Sequence, residues 1–107
     1  MFARSVSIRL KPNSVAELNR IIEKEILPLL RKQKGFQDEL ILIASSGLEA
    51  VGISLWDQKE NADAYNRATY SEVERLLSKV IEGTPEVKAY EVSVSTFPLA
   101  AAQGGTG

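Results

Sequence analysis

Apolar and polar residues alternate over residues 2–10, with Phe2, Val6, Ile8 and Leu10 on one side and Ala3, Ser5, Ser7 and Arg9 on the other. That period of two predicts a strand. Arg4 is the one charge on its apolar side. Lys11-Pro12-Asn13 breaks the ladder, because proline has no N–H to donate. From Ser14 the spacing turns helical: Leu18, Ile21, Ile22, Ile26, Leu29 and Leu30 share a stripe interrupted by Glu25. Ser14 and Glu17 stand at capping-box separation. Pro28 predicts a kink or a restart after Ile26, and Gly35 a left-handed C-terminal stop.

Residues 36–44 and 49–56 read as two further strands, joined through Ser45-Ser46-Gly47-Leu48 with Gly where a tight hairpin needs positive φ. Asp57 and Glu60 repeat the capping-box spacing and start a second helix. Ser71 and Glu74 repeat it again, so the helix breaks near Tyr70 and resumes through Arg75, Leu76, Leu77, Val80 and Ile81. Gly83-Thr84-Pro85 stops it. Residues 87–96 form the last strand, with Tyr90, Val92 and Val94 on one face and Ala89, Glu91, Ser93 and Ser95 on the other. The order β-α-β-β-α-β makes an α+β domain of residues 1–97, followed by a Gly- and Ala-rich tail over 98–107 that cannot fold by itself.

Two helices cover one face of a sheet, so the other face sets the quaternary structure. Val6, Ile8, Val51, Ile53, Leu55, Val92 and Val94 are expected under the helices. The opposite side then holds Ala3, Ser5, Ser7, Ala50, Gly52, Ser54, Ala89, Ser93 and Ser95, which are small rather than long and charged. Small residues let a second layer approach closely. A homodimer through this Ser/Ala/Gly face is expected, the alternative being a plain solvent face.

Composition narrows the chemistry. The chain has 107 residues, 44% hydrophobic, with 13 Lys+Arg against 14 Asp+Glu and a net charge of -1. One core suits that length. The balance of charge argues against a nucleic-acid partner, which needs a basic face. No apolar run approaches the roughly 20 residues of a membrane span, and no signal peptide is read at Met1-Phe2-Ala3-Arg4. A soluble, cytoplasmic protein is expected. The absence of Cys and His removes thiol nucleophiles, Ser-His dyads, the usual zinc sites and His-ligated haem. There is no GxSxG, P-loop or GxGxxG.

The Gly35-Phe36 step after the first helix and the Trp56-Asp57 junction, set in the β-α-β-β-α-β order, carry a resemblance. Over residues 2–97 the chain resembles the antibiotic-biosynthesis-monooxygenase (ABM)-like domains of the dimeric α+β barrel superfamily. The resemblance implies a ferredoxin-like protomer, two of which pack their sheets into a barrel. In enzymatic members it also implies a pocket between sheet and helices, used for cofactor-free oxygenation of electron-rich phenols and quinols. The haem-degrading branch uses an Asn on strand 1, an aromatic on helix 2 and a His ten residues on. Matched from Trp56, the last two positions fall on Tyr65 and Arg75, and the first falls near Val6 or Ser7. Arginine has no lone pair for iron, so haem degradation is not expected; no cofactor and no metal are expected.

Tyr70 and Arg75 are the candidate catalytic residues, with Trp56, Tyr65 and Asn61 as candidate substrate contacts. Phenols on the second helix could bind an aromatic ring while a guanidinium steadies a phenolate or peroxide anion. The plainer alternative is that Tyr65 and Tyr70 cap the core, Arg75 is solvated, Trp56 pins helix to sheet, and Asn61 and Asn66 are helix-surface polar groups. Arg4 on an apolar face demands a partner, either Glu91 or Glu86 across the strands or an anionic ligand. Glu25 is either a buried acid able to act as a base or is turned outward by the kink at Pro28. Two functions stand: a cofactor-independent monooxygenase acting on a small electron-rich aromatic, or a non-catalytic small-ligand-binding or structural homodimer of the same fold.

Overall fold

The computed structural model describes residues 1–96. Strand β1 (Phe2–Leu10) leads to α1 (Val15–Ile21), a π-helical stretch (Ile22–Ile26) and α2 (Leu27–Arg31). Strands β2 (Phe36–Ile43) and β3 (Glu49–Trp56) form a hairpin, followed by α3 (Lys59–Ala68), α4 (Tyr70–Leu77) and β4 (Ile81–Glu91). The sheet is antiparallel, in the order β2-β3-β1-β4. This is a ferredoxin-like α+β fold. The 98–107 tail and the last residue of the 1–97 domain lie outside the described residues.

The punctuation of the first helix follows from its residues. Pro28 cannot donate to the carbonyl four residues back, and the chain restarts as α2 at Leu27 after a widened π turn. That turn lets Ile21, Ile22, Ile26 and Leu30 all be buried although the apolar spacing is irregular. Gly35 has φ +81°, and a Cβ there would stand 2.2 Å from Asp57 Oδ1. The close approach is fixed by the Asp57 N–H donating to the Gly35 carbonyl at 2.9 Å. The hairpin turn uses Gly47 at φ +75°.

None of the three capping boxes forms. Ser14 Oγ donates to the Pro12 carbonyl, and Glu17 is taken by Arg20 one turn on. Gln58 holds the N-cap position of α3 without a side-chain cap bond, while Asp57 accepts from Asn61; α4 begins after Thr69, ahead of Ser71. A charged or amide partner at i+3 or i+4 outcompetes a backbone N–H for these acids. The second helix also ends earlier than its spacing predicts, at Leu77. Val80 closes a turn onto the Leu77 carbonyl, and Lys11 N–H donates to the Val80 carbonyl, which delivers Ile81 into β4. Gly83-Thr84-Pro85 therefore lies inside β4, where Gly83 (φ +74°) accompanies a register shift against β1 between Ser7 and Arg9. It is a bulge, not a helix stop. The strand ends at Glu91 rather than Thr96.

The two faces of β3 and β4 are the reverse of those expected. Directly paired residues point to the same side of an antiparallel sheet. Phe2, Arg4, Val6 and Ile8 pair with Trp56, Ser54, Gly52 and Ala50, so the small residues of β3 lie under the helices. Trp56 is 0% exposed there and sets the parity of the strand. Val51, Ile53 and Leu55 point to the uncovered side with Ser5 and Ser7. Lys88 and Tyr90 join them through pairing with Ser5 and Ala3, leaving Val87 and Ala89 on the helix side. Leu40 and Leu42, paired with Ile53 and Val51, are 43% and 48% exposed. The uncovered face thus carries the large apolar residues of β2 and β3 beside Ser5, Ser7 and Lys88, and is not a Ser/Ala/Gly surface.

Candidate functional site

Arg4, Ser54 and Glu39 occupy one row across β1, β3 and β2 on the helix-covered side, since Ser54 pairs with both of the others. The row borders a cavity of about 60 Å³ between sheet and helices. Tyr65 from α3 and Tyr70 from α4 close it opposite the row, and aliphatic side chains such as Ile22, Ile26, Ile41 and Val73 line the remainder. Gly52 is part of the floor: a Cβ there would come within 3.1 Å of Glu39 Oε2. The small residues of β3 therefore make room for the carboxyl and for the cavity itself.

Arg4 is 4% exposed. Its guanidinium carbon lies 5.1 Å from the Tyr65 ring centre and 4.7 Å from that of Tyr70, and Nη2 donates to Asn66 Oδ1 at 2.8 Å. Two aromatic faces and one amide thus stabilise the charge. Among the described residues no carboxylate is in ion-pair contact with it. Neither expected partner reaches it: Glu91 pairs with Phe2, and Glu86 pairs with Ser7 on the other face.

Glu39 is the unusual acid. Burial pushes its pKa up to about 8, opposed by the positive charge of Arg4 and reinforced by Asp38. Its Oε1 is buried without a hydrogen-bond partner. Near neutral pH this carboxyl is therefore mostly protonated, and Arg4 supplies the charge of the cavity. Burial also pushes Tyr65 up to about 12, with Arg4 opposing and Glu39 adding to the shift. Tyr70 is raised by burial and then by Glu74, again against Arg4. Both phenols stay protonated, and the buried Tyr70 hydroxyl has no partner.

The structure brings Tyr65 and Tyr70 into this cavity but leaves three predicted site residues outside its lining. Arg75 is exposed and paired with Glu72 through Nε and Nη2. Trp56 sits behind Tyr65, its ring centre 5.1 Å from that of Tyr65 and 5.6 Å from that of Phe36, with Nε1 donating to Ser54 Oγ at 2.9 Å. Asn61 donates to Asp57 Oδ1 at the β3–α3 junction, against Gly35. Glu25 is turned outward, 3.7 Å from Arg20. Glu39 and Ser54 are the members that sequence reasoning missed. The signal for Ser54 was Arg4 itself, because a buried charge needs polar company on the neighbouring strand. Glu39 had no such signal, since it follows Gln37 and Asp38 and the apolar run over residues 40–43 after it shows no alternation to say which face it takes.

Among the described residues, no group of three His, Cys, Asp or Glu side chains is placed to hold a metal ion, and no helix is long and apolar enough to cross a membrane.

No family model and no curated protein matches the chain. Solved structures do. A monooxygenase from the gene ActVA-Orf6 of Streptomyces coelicolor, in complex with nanaomycin D, superposes with a TM-score of 0.76 at 17% identity, covering 91% of each chain. A protein of unknown function from Nitrosomonas europaea gives 0.73 at 14% identity, covering 91% of this chain and 93% of its own. An antibiotic biosynthesis monooxygenase gives 0.68 at 11%, covering 88% of this chain and 100% of its own. The chain has the fold of the antibiotic biosynthesis monooxygenases.

Proposed function

We propose that the protein is a cofactor-independent monooxygenase acting on a small electron-rich aromatic of phenol or quinol type, bound in the cavity between sheet and helices. The observation that carries this reading is a buried Arg4 beside Tyr70, whose hydroxyl is unpartnered, both lining a largely aliphatic cavity that also holds Glu39 and Ser54. The nanaomycin D complex of the Streptomyces monooxygenase, on the same fold, supports it.

In such a reaction the phenol loses its O–H proton and its ring carbon forms a C–O bond to dioxygen. The O–O bond then breaks as that carbon loses its hydrogen. One oxygen stays as a quinone carbonyl and the other leaves as water, so phenol plus dioxygen becomes quinone plus water. The aromatic supplies all the electrons. Arg4 is placed to stabilise the phenolate oxygen, the aliphatic wall removes water from it, and Tyr70 can donate to the peroxide. Arg4 thereby takes the part expected of Arg75.

Oxygen uptake over a panel of quinols tests the assignment. We expect uptake that falls at least about tenfold, roughly 1.4 kcal/mol in the barrier, in both Tyr70→Phe and Arg4→Gln with the fold retained by circular dichroism. Uptake unchanged in both removes the site.

A second reading is favoured by size. At about 60 Å³ the cavity holds roughly four waters, and it is smaller than the ~150 Å³ engineered apolar cavity that binds benzene. A ring enters only as wall side chains yield. A non-catalytic small-ligand-binding or structural homodimer is therefore the alternative, selected by no uptake with any quinol. In either case we propose that two copies pair through the uncovered sheet face, where Leu40, Leu42 and Tyr90 (49% exposed) lie together with Val51 and Ile53. A monomeric mass by light scattering overturns that pairing.

A further inference from the structure

We propose that the cavity is a seat for a small monoanion, a carboxylate or phenolate on a body of at most one ring, with its charged oxygen on Arg4 and Tyr70 as a second donor. Glu39 beside it tunes the seat: neutral, it leaves the Arg4 charge to the ligand, and ionised, it competes with the ligand for that charge. The proposal rests on the cavity being the ligand site, and it adds the charge of the ligand and the residue that tunes its binding.

The charges lead to this ligand. Arg4 holds a permanent positive charge, one of whose five N–H donors is engaged by Asn66. A buried cation without an ion-pair partner is a standing demand for an anion. Tyr70 lines the same cavity, and its hydroxyl is buried without a hydrogen-bond partner. The titratable groups facing Glu39 are Arg4 from β1, Tyr65 from α3, Tyr70 from α4 and Asp38 on its own strand. Strand β3 adds only Ala50, Gly52 and Ser54, and the first helical layer adds only aliphatic side chains such as Ile22, Ile26 and Leu30. With Glu39 protonated the cavity is singly positive, and one negative charge neutralises it. A dianion leaves an uncompensated charge in an apolar space. When Glu39 ionises it becomes the counter-ion of Arg4, and a ligand anion must compete with it. Ser54 Oγ already accepts from Trp56 Nε1, so its own proton is available to the ligand or to Glu39.

Calorimetric titration of the intact protein tests this with acetate, benzoate and 4-nitrophenolate as monoanions, benzamide and 4-nitroanisole as neutral counterparts, and phthalate as a dianion. Near pH 7.5 we expect benzoate or nitrophenolate to bind at least about tenfold tighter than its neutral counterpart and than phthalate. The preference should shrink at least about threefold near pH 9.5 as Glu39 ionises. In Glu39→Gln it should persist at both pH values, and in Arg4→Gln it should vanish. Acetate, benzoate and nitrophenolate ranked together separate a carboxylate ligand from a phenolate one. Equal binding of benzamide and benzoate, a preference kept in Arg4→Gln, or no binding of any monoanion overturns the proposal. The comparison within the wild-type protein stands even where the arginine variant does not fold. Anion binding without oxygen uptake sinks the monooxygenase and leaves the seat. Oxygen uptake that benzoate does not inhibit sinks the seat and leaves the monooxygenase.

Discussion

Two neighbouring regions lie under the same helices and share Tyr65 and Ser54, yet they are built on opposite principles. At one end Trp56, Phe36 and Tyr65 fill the layer, and the indole N–H has its acceptor in Ser54. At the other, Arg4, Glu39 and Tyr70 border a cavity, with one carboxylate oxygen and one hydroxyl left unpartnered. Buried polar groups without partners lower stability. The packed corner sustains the fold, and the cavity keeps polar groups that a purely structural layer would have replaced by aliphatic ones. Tyr65 joins the two regions: one partner of its ring is Trp56 and another is Arg4.

The contrast breaks most visibly at Trp56. Trp56→Ala removes a fully buried ring and leaves a hole where Phe36 and Tyr65 met it. We expect a loss of about 3–5 kcal/mol in denaturant unfolding. A loss below about 1 kcal/mol would show that the corner is not what stabilises this end.

Glu39→Gln should act in the opposite direction, and only above acid pH. Burial raises the folded-state pKa from an ordinary 4.5 to about 8. Such a group adds stability that is complete below the unfolded value and is lost as pH rises through the folded one. Wild type and variant should thus differ little near pH 4 and diverge between about pH 4.5 and 8. Above that window the variant should be the more stable, by on the order of 5 kcal/mol. Unfolding curves at a series of pH values check this. A gap that does not depend on pH removes the buried carboxyl.

Much of the fold was legible because its signals were local. The alternation of β1, the positive φ at Gly35 and Gly47, and the restart after Ile26 forced by Pro28 each follow from a few adjacent residues. What failed was non-local. Placing Val51, Ile53 and Leu55 under the helices assumed a sheet with one apolar face, but this sheet has two. Only the pairing of Trp56 with Phe2 decides which side of β3 faces the helices. The bulge at Gly83 likewise resets β4 in a way no residue count reveals. In the site, Arg4 was visible as a charge on an apolar strand face, whereas Glu39 was hidden in a polar Gln37-Asp38-Glu39 run followed by apolar residues that fit either side.

Tyr70→Phe sharpens the contrast on a smaller scale. Removing a buried hydroxyl without a partner should raise stability by about 1 kcal/mol, while oxygen uptake falls under the proposed function. A residue that only caps the core would show the first effect without the second. Melting curves and uptake on the same preparation separate the two.

The smallest effect is expected at Arg75. Five residues beyond Tyr70, it lies roughly 140° around the helix, on the face opposite Val73 and Leu77 and beside Glu72. An exposed ion pair of this kind contributes little, because water and salt screen it and two flexible side chains must be ordered to make it. Arg75→Ala should leave both the unfolding midpoint and oxygen uptake where they are. A clear loss of uptake at unchanged stability would mean that Arg75 reaches the substrate after all. The helix break at Thr69 would then have to rearrange on binding, because in the present structure that side chain is outside the cavity lining. Retained activity in Arg75→Ala, set beside a loss in Arg4→Gln, would locate the working guanidinium on the sheet instead of the helix.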